Sequence, residues 1–276
     1  MRGIKHSLNL LFHIQAESGN DTGNVLLMEV GEDYCCYAFC DETSKSVNKL
    51  KYLSLKTLNN YDVVEQILKK ENLAAETLNR ICICSALHPA ILFPKQYFNE
   101  EVAATFLTVT YDLKNVRIAQ DEVSELGLIL LYALPEKLLQ PLHNNNVQYI
   151  HAYSTSLKSS KQSDGETDIS VHFTPKYFRV ILKKQQQLNL VQTYSYTVPL
   201  DVVYYLIRMF DEFKLSQQET HIILSGLIQE DSALFKELHG YFLNVHFDLP
   251  GDNTVDQQEY PQHFFTSMYN LAACVL

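Results

Sequence analysis

Basic charge is what this sequence most lacks. Its 276 residues carry 22 Lys and Arg against 32 Asp and Glu, a formal net charge of −10. An acidic chain is repelled by DNA, RNA and anionic lipid. Lys158, Lys161, Lys183 and Lys184 are scattered among neutral residues, so no local basic patch offsets this. Nucleic acid is excluded as a partner on that ground. A long apolar run is missing too. The longest, Leu126 to Leu134, is about half of the ~20 residues a membrane span needs. The N-terminal run behind Arg2 and Lys5 is interrupted by Asn9 and His13 and is too short for a signal peptide. The expectation is a soluble, cytoplasmic protein with no direct membrane insertion.

Familiar catalytic and metal motifs are also missing. There is no G-x-S-x-G elbow and no Walker loop. Six cysteines are present, but Cys35, Cys36 and Cys40 lack the repeated C-x-x-C spacing of a zinc site. In RICIC, Cys82 and Cys84 alternate with isoleucine as one face of a buried strand would. Free cysteine behaves as a small hydrophobe, so all six are expected to be reduced and metal-free. Tryptophan is absent, whereas tyrosine occurs 17 times. Tyrosine suits both cores and protein interfaces. Tyr204 and Tyr205 read as core, and Tyr260 and Phe264, beside a polar tail, as more open. His172, on an alternating strand, reads as structural, and Asp211–Glu212 as the solvated face of a helix. Glu29 and Glu32 could do acid–base work only in a cleft that shifts their pKa values.

What is present is a globular pattern, with 46% hydrophobic residues. Apolar runs Val25 to Val30, Tyr34 to Cys40 and Lys49 to Leu55 read as three antiparallel strands. Gly31 permits the first turn, and Asp41 to Ser46 supplies the second. A helix from about Asn60 to Lys70 follows, capped by Asn59 or Asn60, with Val63, Val64, Ile67 and Leu68 as its apolar stripe. Then comes a strand, Arg80 to Ser85. The second half repeats the order. Asp168 to Phe173, Tyr177 to Lys183 and Leu188 to Tyr196 read as strands. Pro199 to Phe213 reads as a helix, with proline and Asp201 in its first turn. His221 to Leu224 is a strand, Asp231 to Phe242 a helix and Leu243 to Phe247 a strand. Between the halves, Asn99 to Phe106 and Pro135 to Leu142 read as helices, and Leu126 to Leu134 and Val147 to Tyr153 as strands. The segment STSLKSSKQSDGET, Ser154 to Thr167, has no hydrophobic period and reads as a linker. The expected lobes are therefore 1–155 and 156–276. A polar tail, Pro250 to His263, precedes a last amphipathic helix.

A duplicated β-β-β-α-β-α order resembles the actin-like ATPase, or ribonuclease-H-like, superfamily. The stretches LLMEVGEDYCCYAFC, ISVHFTPKYFRVIL and HIILSGLIQEDSALFKEL carry the resemblance. With HPAILFPKQYF and LILLYALPEKLLQPL, the chain also resembles a family of uncharacterised bacterial proteins assigned that fold. More distantly it is similar to the pilus-assembly and secretion-scaffold branch. The resemblance implies an α/β, two-lobed actin-like ATPase fold with duplicated halves.

It also implies where nucleotide would lie. Active members place an Asp, a turn glycine and small residues on the first phosphate hairpin. The matching positions here are Glu29, for the metal-orienting Asp, and Gly31, with Glu32 and Asp33 where phosphate would lie. Acidic groups beside a triphosphate repel it, and Tyr34 fills space that backbone amides need. The second hairpin offers His172 to Lys176, including Thr174, with no Asp or Gly, and Pro175 removes a donor. Of the paired glycines of the adenosine motif, Gly226 alone remains. Glu29, Gly31, Thr174 and Gly226 are thus the candidate cofactor contacts; no catalytic residue and no metal ligand is assigned. The first expectation is a non-catalytic or degenerate ATPase-fold protein, without cofactor, that acts as a scaffold for an unidentified protein partner. The alternative is a weak nucleotide-binding ATPase, taking ATP and magnesium at atypical phosphate-site residues. A third reading is an unrelated hydrolase using acidic residues.

Overall fold

A computed structural model describes residues 8–15, 24–42, 47–55, 62–72, 78–142, 147–159, 167–248 and 259–276. The capping positions Asn59 and Asn60, most of the turn before Val47, half of the linker reading and residues 250–258 of the tail lie outside the described residues. In chain order the elements are β1 (Asn9–Gln15), β2 (Val25–Val30), β3 (Tyr34–Cys40), β4 (Val47–Ser54), α1 (Val63–Lys70), β5 (Arg80–Ser85), β6 (Ala90–Pro94) and α2 (Glu100–Tyr111). There follow β7 (Val116–Val123), β8 (Leu128–Pro135), α3 (Glu136–Leu139), β9 (Val147–His151) and α4 (Ala152–Ser159). The remainder is β10 (Thr167–Phe173), β11 (Tyr177–Lys184), β12 (Gln187–Ser195), α5 (Pro199–Phe213), β13 (His221–Gly226), α6 (Ala233–Tyr241), β14 (Val245–Phe247) and α7 (Thr266–Val275).

The chain clusters into two compact units. One comprises Met1–Ser159, Val255–Gln257 and Asn270–Leu276; the other comprises Ser160–Thr254 and Gln258–Tyr269. The first holds a six-stranded sheet in the order β1-β4-β3-β2-β5-β9. Val63, Val64, Ile67 and Leu68 of α1 pack on Leu26, Met28, Tyr37, Leu53 and Ile83 of that sheet. The same unit carries an antiparallel sheet, β6-β8-β7, covered by α2. The second unit holds the five-stranded sheet β12-β11-β10-β13-β14. Val202, Leu206, Met209 and Phe210 of α5 and Leu234 and Leu238 of α6 bury against Ile169, Val171, Phe178 and Leu224. Each such side chain contributes about 1.5–3 kcal/mol on burial. The first turn of α5 is fixed by Asp201, whose carboxylate accepts from the amides of Thr197 at 2.8 Å and Val198 at 3.0 Å. No helix among the described residues is long and apolar enough to cross a membrane.

The duplication extends to single residues. Val30 faces Cys35 on β3 and Ser85 on β5; Phe173 faces Phe178 on β11 and Gly226 on β13. The Gly31 amide donates to the Tyr34 carbonyl at 3.0 Å, and the Thr174 amide to that of Tyr177 at 2.8 Å. Leu55 N donates to Asp33 O at 2.8 Å as Tyr196 N does to Lys176 O at 2.9 Å. Ala86 N donates to Val30 O at 2.8 Å as Leu227 N does to Phe173 O at 2.9 Å. The register shifts between Phe39 and Cys40 in one unit and between Leu182 and Lys183 in the other, the same place in both ladders. Glu29 therefore corresponds to His172, Gly31 to Thr174, Tyr34 to Tyr177 and Ser85 to Gly226.

Several local expectations are corrected. The N-terminal apolar run is an edge strand, β1, paired with β4. Strands β6 and β7 add a sheet that apolar periodicity does not announce. Residues 154–159 are helical, not linker: Ser154, Thr155 and Leu157 are buried in α4, and the Thr155 hydroxyl donates to the Ala152 carbonyl at 3.1 Å. Tyr204 is 56% exposed rather than core, because α5 turns Val203 and Leu206 inward instead. Phe264 is buried rather than open, beside His263, which stacks on Phe247 at 4.1 Å. The described cap of α1 is Asp62, whose side chain makes no capping bond.

Candidate functional site

The tips of hairpins β2–β3 and β10–β11 carry the candidate residues. At the first tip Glu29 is fully buried. The Tyr34 hydroxyl donates to Glu29 Oε1. The Tyr34 ring stacks on Tyr52, with centroids 5.3 Å apart and planes 9° apart. It also lies against Gly31: a Cβ at that position would sit 2.2 Å from Tyr34 Cε1. Gly31 is thus required by the tyrosine that covers it. Glu29 Oε2 and the Tyr52 hydroxyl are buried without a hydrogen-bond partner among the described residues. Glu32 Oε1 accepts from the His88 amide at 3.3 Å. Burial, then the neighbouring Asp33, raises the Glu32 carboxyl against that bond. Asp33 itself is buried. Burial first, then the nearby Glu29, pushes the Cys35 and Cys36 thiols up, so both stay protonated and unreactive.

At the second tip the polar groups are spent on the turn. The Thr174 amide and hydroxyl both donate to the Tyr177 carbonyl, at 2.8 and 3.1 Å, and the Tyr177 amide returns to Thr174 Oγ1 at 3.2 Å. The Tyr196 hydroxyl donates to the Thr174 carbonyl at 3.0 Å. Pro175 has no amide hydrogen. His172 is buried, with Nδ1 3.0 Å from Ser225 Oγ. Burial, with Arg179 close by, holds its imidazole well below the usual range, so it is neutral at pH 7. Gly226 has φ +77°, and a Cβ there would lie 2.1 Å from the Phe173 carbonyl oxygen. Its lack of a side chain is what lets β13 end against β10.

The structure brings Glu29 and Gly31 together under Tyr34, and Thr174 and Gly226 together at the paired ends of β10 and β13. The first pair belongs to one compact unit and the second to the other.

A polar knot that the sequence does not reveal lies where β7, β8 and β9 meet. Asp121 accepts from the His151 amide at 2.7 Å and from the Tyr132 hydroxyl at 3.1 Å. His151 Nε2 sits 3.1 Å from the Leu87 carbonyl, and its Nδ1 accepts from the Tyr153 amide at 3.1 Å. Both ring nitrogens are engaged by backbone, which fits a structural role rather than proton transfer. The six cysteines are free, and five of them are buried. Among the described residues, no group of three or more His, Cys, Asp or Glu is placed to hold a metal ion.

The arrangement is similar to known structures. A protein with an actin-like ATPase fold and unknown function from Bacteroides thetaiotaomicron superposes with a TM-score of 0.75 at 14% identity, over 91% of this chain and 95% of that one. The PilM–PilN type IV pilus biogenesis complex contains a chain that superposes with a TM-score of 0.61 at 12% identity, over 91% and 98%. At such identities the likeness shows the fold: this is an actin-like ATPase fold. No curated protein matches the sequence significantly. The model of the family described as "Protein of unknown function (DUF3822)" matches residues 15–245, and the chain belongs to that family.

Proposed function

We propose that this protein is a non-catalytic member of the actin-like ATPase fold that acts as a scaffold for a protein partner. The observation that carries the reading is Tyr34. Its ring lies on Gly31 and its hydroxyl on Glu29, so the side chain takes the room beside the two hairpin residues that would serve phosphate and metal. The second hairpin supports it. The Thr174 amide is already bonded, Pro175 offers none, and His172 supplies a neutral imidazole in place of a carboxylate. Phosphoryl transfer depends on positioned donors, a held magnesium ion and an oriented water, and these residues do not fit that set. No catalytic step is assigned to them.

A protein partner is in keeping with PilM, which occurs in a complex with PilN. The free cysteines suit a reducing compartment, and we take that compartment to be the cytoplasm. A second reading, weak nucleotide binding, draws on Glu29 Oε2, a buried oxygen with no partner that a metal ion would satisfy. A rise in the unfolding midpoint with magnesium–ATP separates the two, and hydrolysis by the purified chain tests catalysis. The scaffold reading expects no phosphate release above background. Turnover that disappears in Glu29→Ala would establish an active ATPase and remove that reading.

A further inference from the structure

The carboxyl ends of the parallel strands β13 and β14 carry a cavity that the hairpin tips do not share. In open α/β sheets, ligands settle outside these ends. The cavity has a volume of about 390 Å³. It is lined by Gln229, Glu230 and Asp231, between β13 and α6, and by Phe247, Pro261 and His263. Stacking fixes its aromatic part: His263 lies on Phe247 with centroids 4.1 Å apart, and Phe247 lies on Phe235 of α6 at 4.9 Å. His263 is buried, with Nε2 2.8 Å from the Ile228 carbonyl. A carbonyl only accepts, so Nε2 carries the hydrogen and Nδ1 presents a lone pair. Burial holds the imidazole below its usual range, although the Ile228 bond and Asp248 pull the other way, so the ring is neutral at pH 7. Nδ1 has no hydrogen-bond partner among the described residues. Glu230 and Asp231 are exposed, and neither has an ion pair or hydrogen bond among the described residues. Nor are they spent on α6, whose first turn is capped by Ser232 Oγ, accepting from the Phe235 amide at 3.2 Å. The charge of about +0.5 at that helix end offsets only part of two carboxylates.

We propose that this cavity binds an organic cation, an alkylammonium group on a short hydrocarbon stem. Two unpaired carboxylates and a lone-pair nitrogen select a donor of positive charge, and Phe247 and Pro261 cover its stem. The same carboxylates repel an anion, nucleotide phosphate included. A bare metal ion does not fit, because among the described residues no three His, Cys, Asp or Glu are placed to share one. The volume also suits a small organic group rather than an ion. A free amine and a lysine on another protein supply the same chemistry. The site stands apart from the question of whether the hairpin tips bind nucleotide.

Saturation-transfer NMR on the full chain with n-pentylammonium tests it. Saturable binding with a Kd of about 10 mM or below is expected, at least about tenfold tighter than that of the neutral alcohol pentanol. Glu230→Gln with Asp231→Asn should weaken it at least about tenfold, with the melting curve unchanged because both side chains are exposed. Asp211→Asn with Glu212→Gln, an exposed acidic pair on α5, should leave it unchanged. Displacement by both N-acetyl-lysine methylamide and cadaverine supports the site and admits a protein lysine; displacement by cadaverine alone supports it for a free amine. The proposal falls if pentylammonium does not saturate, if pentanol binds as well, if neutralising Glu230 and Asp231 changes nothing, or if the α5 pair matters equally. Displacement by magnesium–ATP would also overturn it, by assigning the cavity to nucleotide.

Discussion

Tyr34→Phe isolates the contact on which the reading of the first hairpin rests. The substitution keeps the ring, its stack on Tyr52 at 5.3 Å and its cover over Gly31, and removes only the hydroxyl that donates to Glu29. Glu29 is fully buried and its Oε2 already lacks a partner, so both oxygens are then left unpaired. Losing a hydrogen bond to such a group and stranding its partner costs about 3 kcal/mol. Replacing both partners by apolar groups is far less costly, so Tyr34→Phe with Glu29→Leu should lose only about 1 kcal/mol. Urea unfolding followed by circular dichroism measures each variant, and, with about 1 kcal/mol for Glu29→Leu alone, the cycle of single and double substitutions should show a coupling of about 3 kcal/mol. Circular dichroism is the appropriate probe because the chain has no tryptophan. If Tyr34→Phe costs less than about 0.5 kcal/mol, or the two substitutions simply add, the hydroxyl does not hold Glu29, and the carboxylate is open to a ligand.

Two further substitutions probe the rest of the frame. Gly226→Ala should cost about 3 kcal/mol, from the left-handed backbone together with a Cβ 2.1 Å from the Phe173 carbonyl. Gly127→Ala, at φ +61° with nothing within 4 Å of its Cβ, should cost about 1 kcal/mol. Equal losses in urea unfolding would show that Gly226 is not held by its approach to β10. Glu71 accepts from Lys49 at 2.8 Å, Lys51 at 2.6 Å and Tyr37 at 2.6 Å. Burial alone would raise its carboxyl, but these donors outweigh burial and hold it down at about 2 against an ordinary 4.5. The folded value is the lower one, so the stabilisation is complete above pH 4.5 and is lost as pH falls through about 2. Both lysines are partly exposed and water screens the pair, so about 1–2 kcal/mol is at stake. Acid titration of stability should be flatter in that window for Glu71→Gln, and an unchanged slope would count against the ion pair.

Sequence pattern conveys most of the duplicated frame, and its gaps have physical causes. The run from Val25 to Cys40 is legible because both strands are fully buried and a glycine turn divides them. Helix α5 is legible because proline and Asp201 mark its start. Strand β1 is hard to read because it is an edge strand with most of its residues exposed, so its leucines show no alternation to detect. Strand β7 is half-buried along its length, which blurs its period in the same way. Helix α4 hides behind serines and a threonine whose burial depends on tertiary packing. At the site, sequence marks Gly226 as unusual but not why. The reason, Phe173 across the ladder, appears only once the register of β10 against β13 is known. Tyr34 is legible as bulk at a turn, whereas its bond to Glu29 and its stack on Tyr52 depend on three strands lying side by side.

The central claim, that the residues at the hairpin tips do not take nucleotide, is tested most directly by calorimetric titration of magnesium–ATP into the full chain, paired with thermal unfolding at the same concentrations. No saturable heat and no rise in the unfolding midpoint are predicted. A one-to-one isotherm would contradict the claim, above all if it came with the stabilisation of about 2.7 kcal/mol expected at a hundredfold excess over Kd and were lost in Glu29→Ala.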